Sequence, residues 1–290
     1  SIMPFHQTHL SMRSFILLLL LNLTLFLGSC QSEARKIKNS KKMQLWYTSP
    51  ANEWLEALPI GNGRLGAMIF GGVKAEQIQL NEESLWAGMP EDPYPKDVQK
   101  HYAAFQKLNM EGKYEEALKY GMEHLAVSPT SIRSYEPLGD LHITFDHQQS
   151  PENYRRTLDL ETGVVTSSYT INGKRYLREA FSSDKYDVIL YRFESLDGEP
   201  VNSTIRFDRE KDIVQSIGEG EVLIVDGQVF DNPNGYEDNP GGSGETGRHM
   251  KFASQITATL DDGSMSGKEN TLNIENSTGY TVIVSAATDY

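Results

Sequence analysis

The chain has 290 residues, 38% of them hydrophobic, 10% aromatic and 23% charged, which excludes a disordered segment and suits one large domain or two ordinary ones. Its 40 acidic and 27 basic side chains leave a net charge of -13, which repels phosphate backbones and speaks against a nucleic-acid partner. The single cysteine excludes an intramolecular disulfide, so stability must come from a packed core.

The first 29 residues read as upstream sequence plus a signal peptide. Arg13 supplies a positive start, and residues 15–27 form an apolar run broken only by Asn22 and Thr24. That length suits a signal-peptide core and is too short to span a bilayer. The run ends in Leu27-Gly28-Ser29-Cys30, which resembles the lipobox of bacterial lipoproteins: small residues admit the peptidase and the thiol accepts diacylglycerol. Cys30 is therefore expected to carry lipid, translation to begin at Met12, and the mature protein to be exported to the periplasm or outer-membrane surface. Residues 30–44 are polar and basic, as a flexible tether requires. The folded part is expected over residues 45–290.

Gly61-Asn62-Gly63-Arg64-Leu65-Gly66 matches the dinucleotide-binding pattern. That motif works only between a strand and a helix, whereas Pro59 precedes it here and an apolar, strand-like stretch follows. It is read as a turn with two or three glycines at positive φ, and no nicotinamide or flavin cofactor is expected. Next come Gln77-Ile78-Gln79-Leu80, an alternating strand, and Asn81-Glu82-Glu83-Ser84-Leu85-Trp86. Amides and carboxylates that hydrogen-bond hydroxyls, beside an indole that stacks on a sugar's C–H face, suit a glycan contact. The competing reading makes the glutamates turn caps and Trp86 core.

Within residues 96–125 the apolar side chains fall at Val98, Tyr102, Phe105 and Leu108, then at Tyr114, Leu118, Met122 and Leu125, with Gly112 between. This spacing predicts two short helices, inserted to cover a sheet edge or end. Elsewhere period two dominates, at residues 141–145, 188–193, 203–207, 222–225, 252–260 and 280–284. Asn172-Gly173, Asp197-Gly198, Asp226-Gly227 and Asp262-Gly263 read as turns. The expectation is an all-β fold of antiparallel sheets with a two-helix insertion. Residues 231–247, rich in Gly, Asn, Pro and acidic side chains, predict an exposed loop. A calcium loop fails there, because Pro233 and Gly242 stand where oxygen ligands are needed. His101, His124, His142 and His147 lack metal-ligand spacing, so no metal is expected.

Five ordered blocks resemble the opening of glycoside hydrolase family 95, the α-L-fucosidase-like enzymes. They run from Trp54 through Gly71-Gly72, then Leu80-Asn81-Glu82-Glu83-Ser84-Leu85-Trp86-Ala87-Gly88 and Tyr135-Glu136-Pro137-Leu138-Gly139-Asp140-Leu141. Tyr154-Arg155-Arg156-Thr157-Leu158-Asp159-Leu160 and Arg178-Glu179-Ala180-Phe181-Ser182-Ser183 complete the set. The resemblance implies an N-terminal β-supersandwich, a helical linker and an (α/α)6 barrel. It also implies inverting removal of terminal α-L-fucose or L-galactose from glycans, with the acid and base in the barrel. The chain ends before any such barrel, so no catalytic residue is assigned in it and no turnover is expected from it alone. Asn81, Glu82 and Trp86 are the candidate substrate-rim residues, without a part in proton chemistry. Two functions follow: the structural and rim domain of a two-domain fucosidase, or an autonomous glycan-binding lipoprotein.

Overall fold

The computed structural model describes residues 43–87, 94–95, 97–127, 134–231 and 247–290. The expected signal peptide, Cys30, most of the expected tether and the loop interior expected between 231 and 247 lie outside the described residues. Sixteen strands run in chain order: β1 (Gln44–Tyr47), β2 (Leu58–Gly61), β3 (Leu65–Ile69), β4 (Ala75–Glu82), β5 (Gly139–Phe145), β6 (Glu152–Asp159), β7 (Val165–Ile171) and β8 (Lys174–Ser183), then β9 (Val188–Ser195), β10 (Val201–Asp208), β11 (Ile213–Gly218), β12 (Val222–Asp231), β13 (Gly247–Leu260), β14 (Ser264–Lys268), β15 (Thr271–Ser277) and β16 (Gly279–Thr288). They form two antiparallel sheets. One has nine strands in the order β1-β6-β7-β8-β9-β16-β13-β12-β11; the other has seven, β14-β15-β10-β5-β4-β3-β2. The fold is the expected all-β supersandwich.

Period two explains the layering. Along β5, β7, β9 and β16 every second side chain is buried, which is what two sheets facing each other across one core require. Leu141, Ile143, Ile205, Phe193, Tyr280 and Val282 are each fully buried between them. Asn172 (φ 51°) and Gly173 (φ 76°) turn β7 into β8 directly, with Ile171 paired to Lys174, the two-residue geometry that Asn-Gly favours. Asp226-Gly227, expected as a turn, instead lies inside β12 opposite Ala253 and Phe252. A side chain at Gly227 would collide with the Phe252 ring, so glycine is required there for packing. The glycine pattern of 61–66 needs a similar correction. Only Gly63, at 100°, has positive φ among its three glycines. Gly61 and Gly66 pair across β2 and β3, making the segment a hairpin.

The inserted helices form as expected: α1 (Val98–Met110) and α2 (Tyr114–His124), separated by Gly112 at φ 75°. They pack on each other where Gly121 lets the Phe105 ring approach. His101 stacks on His124 with centroids 4.3 Å apart and accepts or donates a 2.8 Å bond with the Tyr120 hydroxyl. Among the described residues no helix is long and apolar enough to cross a membrane.

The core is not purely apolar. Arg178 on β8 and Glu76 on β4 are 2% and 0% exposed and bring opposite charges 3.7 Å apart across the two sheets. The guanidinium donates to the carbonyls of Gly72 (2.5 Å) and Val73 (2.7 Å) and to the Tyr169 hydroxyl (2.6 Å), and it lies 3.9 Å from the Phe145 ring centroid. Glu76 accepts the Gly71 N–H at 2.6 Å and the Tyr191 hydroxyl at 3.2 Å. Burial, the largest influence, leaves the Glu76 carboxyl above its ordinary value, although Arg178, Gly71 and Tyr191 each pull it down. Every group aimed at it is a donor, so the carboxylate is the form this pocket accommodates.

The Tyr169 hydroxyl, which accepts from Arg178, also forms a 3.0 Å hydrogen bond with His147 Nε2. Burial first, and Arg178 second, hold His147 down to about 4. The unfolded chain therefore takes up this proton before the folded one does, and stability falls as pH drops from about 6.5 to about 4. The loss from this residue is roughly 2–3 kcal/mol. Urea unfolding of His147→Phe should show a shallower decline across that window than the parent; an unchanged slope would refute the assignment.

Candidate functional site

Alternation along β4 decides what its end can do. Glu76, Ile78, Leu80 and Glu82 face inward and are buried, while Gln77, Gln79 and Asn81 face outward. Asn81 and Glu82 are neighbours in sequence yet open on opposite faces of the sheet. The three rim candidates therefore do not converge on one point.

On the inner side Glu82 is 2% exposed. Its Oε2 accepts the Ser84 N–H (2.9 Å) and hydroxyl (2.7 Å), and its Oε1 meets Arg64 Nη1 at 3.1 Å. Arg64 also donates to Asp187 Oδ2 (2.6 Å) in the β8–β9 turn and to the Ala286 carbonyl (2.8 Å) on β16. Ser84 Oγ lies 2.5 Å from Thr288 Oγ1. Asn62 completes the cluster: its amide donates to Ser183 O (3.1 Å) and Asp187 Oδ1 (3.2 Å), and its carbonyl accepts the Leu65 N–H (2.7 Å). Glu82 is thus an anchor tying the end of β4 to both neighbouring turns. Three donors, the Ser84 N–H, the Ser84 hydroxyl and Arg64, converge on this buried side chain.

From that anchor the chain runs to Trp86, which is half-buried and bridges to Tyr135. Their rings meet edge to face, with centroids 4.9 Å apart at 75°. Ala87 N–H donates to Ser134 O (2.8 Å), Glu136 N–H to Leu85 O (3.0 Å), and the Tyr135 hydroxyl to Glu82 O (3.1 Å). The two chain passes flanking the helical insertion are locked together here. Tyr135 is 41% exposed, so one aromatic surface remains open to solvent.

On the outer side Asn81 borders a groove of about 240 Å³ with Trp54, Pro59, Gly66, Met68, Gln79 and Pro137. Sequence reasoning assigned no role to Arg64, Tyr135 or Trp54. Arg64 was hidden in a motif read only as a turn. Tyr135 is separated from Trp86 by the helical insertion, so no spacing links them. For Trp54 a signal existed in the nearby Pro59 and Gly66, which leave bare backbone beside it.

Residues 45–290 match the family model described as "Glycosyl hydrolase family 65, N-terminal domain". The chain is 34% identical over 174 residues to "Alpha-L-fucosidase 2" of Arabidopsis thaliana, covering 59% of this chain and 20% of that protein. It is 27% identical over 259 residues to "Probable alpha-fucosidase A" of Aspergillus oryzae, covering 85% of this chain and 33% of the relative. The protein of the same name from Aspergillus niger is 33% identical over 159 residues, covering 52% and 20%. The chain thus spans between 20% and 33% of the length of these curated relatives. Their names agree with the fucosidase resemblance of the ordered blocks, and the common element is the N-terminal β-sandwich of a glycoside hydrolase.

The opposite orientations of Asn81 and Glu82 predict opposite mutational behaviour. Glu82→Gln should lower the unfolding free energy by about 1–3 kcal/mol, because it removes the charge facing Arg64 at a buried site. Asn81→Ala should change it by less than about 0.5 kcal/mol. Urea midpoints of the two variants check this, and equal losses would contradict the alternation.

Proposed function

Since this chain belongs to the glycosyl hydrolase family 65 N-terminal domain family over residues 45–290, we propose that it is the supporting domain of a longer, exported α-fucosidase-like glycoside hydrolase. The observation that carries this reading is where the motif residues go. Gly71, Arg156 and Arg178 are spent, with the nearby Glu76, on holding the two sheets together, and Glu82 and Arg64 on anchoring one end. Among the described residues the two deeply buried carboxylates, Glu76 and Glu82, each face an arginine inside the sandwich, where neither reaches a glycosidic bond. Glycosidases of the inverting type need two carboxyl groups about 6.5–9.5 Å apart across the scissile bond. In this reading they come from an (α/α)6 barrel that follows the sandwich.

The proposed whole enzyme removes terminal α-L-fucose, or L-galactose, from glycans with inversion. The sandwich supports the barrel and lends part of its rim. Trp86 with Tyr135 presents an aromatic edge, Asn81 an amide on the adjoining outer face, and Glu82 positions both by fixing the chain between them. Export through the lipobox at Cys30, with the lipid holding the protein to the membrane, completes the proposal.

Three outcomes follow. The 290-residue chain purified alone should not release aryl leaving groups from an α-L-fucoside, because rate enhancements of about a millionfold or more need the paired carboxyls; inhibitor-sensitive turnover would refute that. In the full-length enzyme Trp86→Ala should lower kcat/KM while costing less than the about 3–5 kcal/mol of a fully buried Trp truncation. A melting temperature that collapses instead would return Trp86 to a purely structural role. Cys30→Ser should shift the protein from the detergent phase to the aqueous phase of a partition assay, and unchanged partition would exclude lipidation.

A further inference from the structure

We propose that the outer-face groove beneath Trp54 is a binding subsite for one pyranose ring of a neutral glycan. The inference rests on the glycan-acting reading above and adds a contact separate from any catalytic carboxylates.

The groove has the components that such a ligand needs. A pyranose offers an apolar C–H face to an aromatic ring and hydroxyls to amides. Trp54 is 51% exposed although it sits in a short 3-10 turn that is held from two sides. Arg156, 2% exposed on β6 of the other sheet, donates to the Glu56 carbonyl at 2.6 Å, and the Glu56 carboxylate accepts the Asn52 N–H at 2.8 Å. These bonds hold the backbone of the turn, so the chain that carries the indole need not be ordered when a ligand stacks on it.

The floor is shaped for close approach. Gly66 is not at positive φ, so its backbone does not require glycine. A Cβ there would sit 3.4 Å from the Ile60 carbonyl and 3.9 Å from the Asn81 Cβ, on the groove floor. Glycine inside a strand weakens it, and a reason for keeping one is the approach of something else to the backbone. Along the wall, Gln79 and Asn81 stand one pleat repeat apart, about 6.8 Å, facing Met68 and Gly66 across the ladder. Gln77, the preceding outward amide, donates to Asp140 at 3.1 Å. The amides of Gln79 and Asn81 engage no protein group among the described residues, so their donors and acceptors remain available.

Charge and size narrow the ligand class. No ionisable side chain lines the groove, although the chain as a whole carries -13. A charged ligand would find no counter-ion, and an apolar one would leave two amides unsatisfied. A volume of about 240 Å³ falls below the roughly 300–1,000 Å³ of sites that enclose drug-sized molecules, which is the scale of a single ring.

The test uses the 290-residue chain with ¹⁵N-labelled indoles. It has three tryptophans, so each N–H resonance is assignable by substitution with Phe. Methyl α-L-fucopyranoside and methyl α-D-glucopyranoside are titrated in parallel. The Trp54 resonance should shift saturably at millimolar sugar while that of Trp46 stays fixed. Asn81→Ala should weaken the response about tenfold, as expected for losing a ligand hydrogen bond, and Gly66→Leu should abolish it. Unmoved Trp46 and Trp86 resonances verify that both variants are folded. A response to the glucoside alone upholds the subsite and counts against fucose as the substrate. If Trp54 does not respond, yet the full-length enzyme hydrolyses the fucoside, the subsite is overturned and the proposed activity stands. Equal responses in the parent and both variants also overturn it.

Discussion

One buried ion pair organises this sandwich. Arg178 and Glu76 come from opposite sheets and meet with 2% and 0% exposure, so neither charge reaches water. Such a pair is weak evidence for net stability, since desolvation offsets most of the attraction. What it fixes is register. The guanidinium needs the Gly72 and Val73 carbonyls, and the Glu76 carboxylate needs the Gly71 N–H. Those demands bend the chain between β3 and β4 through Gly71 at φ 78°, and a Cβ there would also strike the Tyr154 hydroxyl. A one-residue slip of β4 or β8 would turn its charge to the outer face and leave the partner unpaired in the core.

The same construction reaches outward to the surfaces proposed to bear on function. Arg156, two strands from Arg178 in the same sheet, donates to Ser49 O at 2.8 Å and to Glu56 O at 2.6 Å. It thereby sets the turn that carries Trp54. Arg64 and Glu82 repeat the arrangement at the end of β4, and there the chain segments bearing Trp86 and Tyr135 are joined. The buried Arg156 and the partly exposed Arg64 thus tie the chain segments that carry exposed aromatic residues to the frame. Aromatic residues carried on a backbone held in this way suit recognition, because little backbone entropy is lost when a ligand arrives.

Much of this fold was legible from residue order, and the reasons differ by element. Strands β5, β9, β10, β13 and β16 alternate legibly because most of their inward residues are aliphatic or aromatic, with the small Ser195, Ser203 and Ser254 among the buried polar ones. The helical pair was legible from its 3.6-residue spacing and the break at Gly112. β6 and β8 are harder to read, since their inward positions include Arg156 and Arg178, which a hydropathy pattern scores as exposed. Glu76 and Glu82 blur β4 in the same way. Asp226-Gly227 misled for another reason: its glycine answers to the Phe252 ring, a contact 25 residues away in sequence. Of the rim candidates, chain order suggested a shared locus for Asn81 and Glu82. The pleat separates them, and the partners that define each locus, Trp54 and Arg64, come from other strands and turns.

The most direct test of this account is a double-mutant cycle on the central pair, read by urea unfolding. Arg178→Met and Glu76→Gln should each cost about 3–5 kcal/mol, because each leaves a buried group uncompensated. The double variant should cost far less than the two losses combined, giving a coupling energy of about 2 kcal/mol or more. Losses that add to within about 0.5 kcal/mol would mean the two side chains act independently, and would contradict the claim that this pair sets the register of the two sheets.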